Sequence, residues 1–208
     1  MYGRWLRTCA PALLLLVLAI ATPAATEVRV VEPDQPDVLP SFALEDHTGK
    51  TFSEDSLRGS WHLILLGFTH CPDVCPFVLS NLAEVRSELG LRVRPDNLPR
   101  VVFVAIDPQR DRPLLAEYVG YFDPEFLGVT GSREQLDIFV QGVDGFARLG
   151  KPDANGDYEV QHSASVVVTG PDGRIHAKLS PPLDPGAVAE YLARKQIAYR
   201  RDHPQSTQ

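Results

Sequence analysis

Cys71 and Cys75 are the residues of this sequence whose spacing most invites chemistry. They stand four apart in Thr69-His70-Cys71-Pro72-Asp73-Val74-Cys75-Pro76, directly after an apolar run and directly before a helical pattern. Pro76 suits the first helical position, where a missing N–H is no loss, and that places Cys75 near the N-cap. The partial positive charge of a helix N-terminus then favours the thiolate. A loop curling into a helix can aim both sulfurs at one point, so the pair can close a disulfide or clamp one soft metal ion. The competing reading is two reduced thiols packed in a core, since free cysteine buries readily. Two prolines and Asp73 are poor company for that. The C-x-x-x-C spacing also differs from the C-x-x-C of thioredoxin-type redox motifs.

The elements that must hold this pair are legible on both sides of it. Trp61-His62-Leu63-Ile64-Leu65-Leu66-Gly67-Phe68 is near-continuously apolar, as a strand buried on both faces requires. Phe77, Leu79, Leu82, Val85 and Leu89 follow at helical spacing, closed by Gly90. Val101 to Ile106 reads as a second buried strand, followed by a helix from about Arg112 to Phe122 and a short strand from Phe126 to Thr130. Ser132 with Gln135 predicts a capping box for a helix reaching about Gly142. Upstream, Asp46-His47-Thr48-Gly49 predicts a hairpin turn with Gly49 at positive φ. Downstream, Lys151 to Asp157 reads as a loop. Gly170-Pro171-Asp172-Gly173 turns a hairpin between Ser165–Thr169 and Arg174–Leu179, and Asp184 with Pro185 opens a last helix to about Tyr199. Strands alternating with helices, then a terminal hairpin and helix, predict an α/β fold with a mixed central sheet flanked by helices. The carboxyl ends of strands in such sheets are where ligand sites form.

The ends of the chain differ in character from the middle. Arg4 and Arg7 precede an apolar run of 13 residues, Cys9 to Ala21, and small residues close it at Ala24-Ala25. This pattern reads as a secretory signal; as a helix the run reaches about 20 Å, short of the roughly 30 Å of a bilayer core. An uncleaved N-terminal membrane anchor is the rival reading. The chain therefore divides into a signal or anchor over 1–25, an extended linker over 26–40, one domain over 41–200 and a flexible tail over 201–208. Across 208 residues the net charge is −7, and loss of the two leader arginines makes it −9. That acidity argues against nucleic acid as a partner and leaves the N-terminal segment as the only membrane contact. Three cysteines are too few for a disulfide-built scaffold, and Cys9 belongs to the leader.

Four segments carry a resemblance to a known family. Gly67-Phe68-Thr69-His70-Cys71-Pro72-Asp73-Val74-Cys75-Pro76 resembles the signature of the Sco/SenC family of copper-binding assembly proteins. Asp107-Pro108-Gln109-Arg110-Asp111, Leu127-Gly128-Val129-Thr130-Gly131 and Tyr158-Glu159-Val160-Gln161-His162-Ser163 resemble further segments of that family, in order. The resemblance covers about residues 38–195. It implies a thioredoxin-like fold with an N-terminal hairpin extension, and copper ligation by Cys71, Cys75 and His162. Two thiolates suit Cu(I), while imidazole serves Cu(I) and Cu(II) alike. The implied role is a copper metallochaperone, not a turnover enzyme, acting on the CuA centre of cytochrome c oxidase subunit II by copper delivery, by reduction of its cysteines, or both. Other copper chaperones or thioredoxin-like reductants are implied as further partners, and the exported leader implies the periplasm. Asp73, between the cysteines, is a candidate for tuning the site or meeting a partner. Asp107 resembles the family aspartate near the copper, with turn formation before Pro108 as its competing role. Arg110 and Asp111 are read as a structural pair or as functional groups.

His70, beside Cys71, competes with His162 as a ligand, but adjacent side chains after a strand diverge. His47, His62, His176 and His203 read as ordinary surface or strand residues. Gln161 departs from the family, which carries an aspartate before the histidine; one negative charge near the metal is thereby removed. Two other functions use the same residues: a thiol-disulfide oxidoreductase of the same fold, and a redox or copper sensor. Against the first, His162-Ser163-Ala164 supplies no proline of the kind thioredoxins place opposite their cysteines.

Overall fold

A computed structural model describes residues 28–204; the leader segment and the last four residues lie outside them. Ten strands and five α-helices follow in order: β1 (Arg29–Val31), β2 (Ala43–Asp46), β3 (Thr51–Ser53), β4 (His62–Gly67), α1 (Val74–Gly90), β5 (Arg100–Ala105), α2 (Pro108–Asp111), α3 (Leu115–Phe122), β6 (Leu127–Thr130), α4 (Arg133–Gly142), β7 (Ala147–Leu149), β8 (Val160–His162), β9 (Val166–Thr169), β10 (Ile175–Ser180) and α5 (Pro185–Asp202). Eight strands form one mixed sheet in the order β1-β10-β9-β4-β5-β6-β2-β3. β4–β5 and β5–β6 pair parallel, and the other pairs are antiparallel.

All six residues of β4 are buried, which is why that stretch reads as an unbroken apolar run. Leu63 and Leu65 join Val101 and Phe103 under the helical layer of α1, α3 and α5, while Ile64 and Leu66 join Val102 and Val104 under α4 and the N-terminal hairpin. Burying each such aliphatic side chain contributes about 1.5–3 kcal/mol. This central pair of strands is therefore a rigid base for anything mounted on its carboxyl end. β2 and β3 pair through Leu44 and Phe52 and extend the sheet beyond β6, with Gly49 in the turn at φ +85°.

Several elements depart from the expectations of the sequence. Phe77, expected on the apolar face of α1, is 54% exposed; the buried stripe is Val78, Leu79, Leu82, Val85 and Leu89. The single helix expected over 112–122 is the one-turn α2 and a separate α3. Pro113 between them donates no N–H to the carbonyl four residues back. Ser132 caps α4 by accepting from the Gln135 N–H, but the Gln135 side chain instead accepts the Ala43 N–H at 2.7 Å. The N-terminal arm is extended, and it is bound: β1 pairs with β10, Asp37 bridges Ile175, and Glu32 accepts from the Tyr191 hydroxyl and Lys195. At the other end α5 continues to Asp202, and the His203 ring stacks on Tyr199 at 4.3 Å. The β7–β8 ribbon, a two-stranded sheet apart from the main one, has no counterpart among the expected elements.

Candidate metal centre

β4 delivers the chain to the site through Gly67, where only glycine fits. A Cβ there would lie 2.3 Å from the Phe103 ring and 3.0 Å from Cys75 Sγ. The chain then turns, with the Cys71 N–H donating to the Phe68 carbonyl. Thr69 is held from below by Asp111, which is wholly buried. Its Oδ1 accepts both the Thr69 N–H and the Thr69 hydroxyl at 2.8 Å, and its Oδ2 accepts the Asp107 N–H at 3.0 Å. Burial pushes the Asp111 carboxyl up, against the hydrogen bonds from Thr69.

α1 starts earlier than a Pro76 at its first position would require. Asp73 is its N-cap residue, with no side-chain cap bond. Cys75 therefore sits inside the first turn, 1% exposed, with its N–H donating to Cys71 Sγ at 3.4 Å. Both cysteines are free thiols. Against the thiolate expected at Cys75 from the helix terminus, burial pushes this thiol up, and the hydrogen bond with Cys71 adds to the rise. Desolvation of a fully enclosed sulfur outweighs the partial charge of a helix end.

His162 ends β8 and closes the group. Its Nε2 lies 3.6 Å from Cys75 Sγ, and its Nδ1 lies 2.9 Å from the Ser163 carbonyl. A carbonyl only accepts, so Nδ1 carries the proton and Nε2 turns its lone pair toward the sulfurs. Burial lowers the imidazole below its ordinary range, favouring this neutral form. Phe68 packs edge-on against the ring. The two sulfurs and the imidazole nitrogen all lie within 4.8 Å of one another. Three ligands bonded to one ion at about 2.0–2.3 Å in trigonal geometry stand about 3.5–4.0 Å apart, so closing on an ion takes a movement of up to about 1 Å. Cys71 and His162 face a cleft of about 480 Å³ whose walls include Phe68, Pro72, Val74, Phe146, Val160 and Ala164. Val74, Phe77 and Phe146 are exposed.

The other candidates named from the sequence divide. Asp73 is exposed on the rim of this cleft. Asp107 is buried and outside the three-atom group; its Oδ2 accepts from the Tyr158 hydroxyl at 2.8 Å and from Arg110 Nε. Arg110 and Asp111 do not pair with each other: Arg110 serves Asp107, and Asp111 serves Thr69. His70 is exposed beside Thr69 and takes no part in the group. His62 and His176, expected to be ordinary surface or strand residues, are buried at 1% and 7% exposure. Gln161 donates to Glu159. Two tyrosines join the surroundings of the site without having been singled out by sequence. Tyr158 stands four residues before His162, inside a segment that already carries the family resemblance. Tyr118 gives no signal in the sequence; its hydroxyl is buried without a partner among the described residues, and burial, then charge on Cys75 and Cys71, pushes its ionisation up.

A protein-family model described as SCO1/SenC matches residues 30–196. A SCO2-like protein of Rickettsia felis is 34% identical over 184 residues, covering 86% of this chain and 88% of that protein. The mitochondrial protein SCO1 homolog of Homo sapiens is 35% identical over 162 residues, covering 77% of this chain and 53% of that longer protein. The solved structure of Bradyrhizobium japonicum ScoI with copper bound superposes with a TM-score of 0.67 at 31% identity, covering 76% of this chain and 98% of the other. Among the described residues, no helix is long and apolar enough to cross a membrane.

Proposed function

Because this chain belongs to the SCO1/SenC family, we propose that it is a copper metallochaperone whose ligands are Cys71, Cys75 and His162. The observation that carries this reading is the convergence of two sulfurs and one imidazole nitrogen within 4.8 Å at the mouth of an apolar cleft. Two thiolates match soft Cu(I), and the imidazole extends the set to Cu(II). Copper here is cargo. Three protein ligands leave a coordination position open, unlike the closed four-ligand cages of structural sites. A partner's ligands can enter through the cleft and take the ion in steps. The recipient is the CuA centre of cytochrome c oxidase subunit II, and the setting is the periplasm.

The same dithiol supports a second output. Attack of one cysteine on a partner disulfide, then closure of Cys71–Cys75, returns two electrons and two protons to the partner as two thiols. Copper leaving the site frees the pair for this exchange.

Titration of Cu(I) and Cu(II) into the reduced protein, followed by transfer to a reduced CuA domain, tests the proposal. One copper per chain, a thiolate-to-Cu(II) charge-transfer band, and sharp weakening by His162→Ala are expected. A protein that binds no copper yet reduces disulfides catalytically overturns the chaperone reading in favour of an oxidoreductase. Copper binding without transfer to the CuA domain removes the delivery step.

A further inference from the structure

Of the three proposed ligands, His162 is the one whose strand has no place in the main sheet. Cys71 and Cys75 hang from β4 and α1, which belong to the rigid centre of the fold. Among the described residues β8 pairs only with β7, and within the segment joining them Lys151 to Asp157 are all exposed. Something must register this ribbon against the cysteine loop if the imidazole is to meet the sulfurs.

We infer that Tyr158 is the positioning residue for His162, acting through Asp107 and the α2 turn. The Tyr158 hydroxyl donates to Asp107 Oδ2 at 2.8 Å, and the Arg110 guanidinium lies over the Tyr158 ring at 3.8 Å. Arg110 Nε donates to the same Asp107 oxygen, so ring and hydroxyl are gripped together. The Asp107 N–H donates in turn to Asp111, which holds Thr69. The chain of contacts Tyr158–Asp107–Asp111–Thr69 thus runs from four residues before His162 to two residues before Cys71. A four-residue helical turn is the bracket that sets the distance between the imidazole and the dithiol. Tyr158 itself lies outside the group of three ligand atoms.

The consequence differs between the two oxidation states. Two thiolates suffice for Cu(I), whereas Cu(II) leans on the imidazole. Loosening the bracket therefore weakens Cu(II) and spares Cu(I), and partners that orient a ligating histidine are typically worth 10–100-fold in metal affinity. This inference rests on the ligand set proposed above.

Tyr158→Phe tests it, since the ring and its arginine remain while the donor is removed. Cu(II) affinity should fall about 10–100-fold with an altered charge-transfer band, while Cu(I) affinity stays unchanged. In the metal-free protein the His162 imidazole nitrogen resonances should shift or broaden. The double variant Tyr158→Phe/His162→Ala should bind Cu(II) no more weakly than His162→Ala. Unchanged Cu(II) affinity, band and resonances in Tyr158→Phe overturn the inference, as does an added loss in the double variant. If His162→Ala alone leaves Cu(II) binding intact, the proposed ligand set has failed instead. Asp107→Asn, which keeps the size of the bracket, should reproduce the Tyr158→Phe pattern in weaker form.

Discussion

Cys75 Sγ and His162 Nε2 lie 3.6 Å apart across 87 positions of sequence, and the imidazole's other nitrogen is fixed on the Ser163 carbonyl. The nitrogen facing the sulfur is thus left as a lone pair, and the buried thiol is the natural donor to it. The metal-free site stores its proton between a sulfur and a nitrogen that copper would claim together. Cys71, half-buried at the cleft, is the outer member of the pair.

This asymmetry predicts unequal reactivity. With limiting iodoacetamide on the reduced, metal-free protein, Cys71 should be alkylated faster than Cys75 by on the order of tenfold or more, because reaction needs access and thiolate character together. Peptide mass spectrometry after partial modification reads the ratio directly. Equal labelling would show that Cys75 opens to solvent as readily as Cys71.

Phe146 is an exposed aromatic side chain that lines the cleft of the proposed copper site. Large apolar groups at the centre of a contact carry a disproportionate share of docking energy. Phe146→Ser should therefore slow copper transfer to a CuA domain about tenfold, with copper affinity unchanged. Its effect on folding stability should stay within about 0.5 kcal/mol, as for exposed positions generally. Stopped-flow transfer against a fixed acceptor concentration separates the two quantities; an unchanged rate would place docking elsewhere.

Much of this architecture is legible in the sequence because it rests on local pattern. The all-buried β4 announces itself as an apolar run, and the turn ending in Gly173 (φ +74°) needs a residue tolerant of that conformation. The cysteine motif is readable for a similar reason, since four-residue spacing at a strand-to-helix entry constrains both sulfurs. What the sequence hides depends on contacts between distant segments. Asp111 grips Thr69 from 42 positions away, and nothing in Asp-Pro-Gln-Arg-Asp distinguishes that role from a pairing with Arg110. Ala147-Arg148-Leu149 is too short to show a strand period, so the ribbon carrying His162 leaves no periodic signature. The upward push on the Cys75 thiol runs against its local pattern because a helix terminus is a sequence feature, whereas burial to 1% exposure belongs to the packed core.

Gly67→Ala probes the join between core and site. The added methyl would press on the Phe103 ring at 2.3 Å and on Cys75 Sγ at 3.0 Å. Overpacking of this kind costs about 1–3 kcal/mol, or a fall in Tm of about 2–4 °C per kcal/mol for a domain of this size. Because one of the two crowded atoms is the cysteine sulfur, copper affinity should fall along with stability. Calorimetry and copper titration on the same sample check both, and a variant that lost stability but bound copper as before would uncouple the core from the site.

His62 supplies a pH dependence far from the copper chemistry. It opens β4 at 1% exposure, with Nδ1 lacking a hydrogen-bond partner among the described residues. Burial, aided by the charge of Arg100, lowers its pKa to about 4 from an ordinary 6.5. The folded protein therefore keeps this ring neutral at pH values where the unfolded chain has already protonated it. Below about pH 6.5 the unfolded state binds more protons and gains on the folded one. Stability should fall as pH drops from about 6.5 to about 4, at up to about 1.4 kcal/mol per pH unit and about 3 kcal/mol in total. Beneath pH 4 the folded protein takes up the proton too, and this contribution stops changing. Carboxylates begin to titrate near the lower end of the same window, so the measurement is a difference. Urea unfolding of wild type and His62→Leu at pH 7.0, 6.0, 5.0 and 4.5 should show the wild type losing more stability at each step. Parallel curves would mean that His62 finds a proton partner in the folded state.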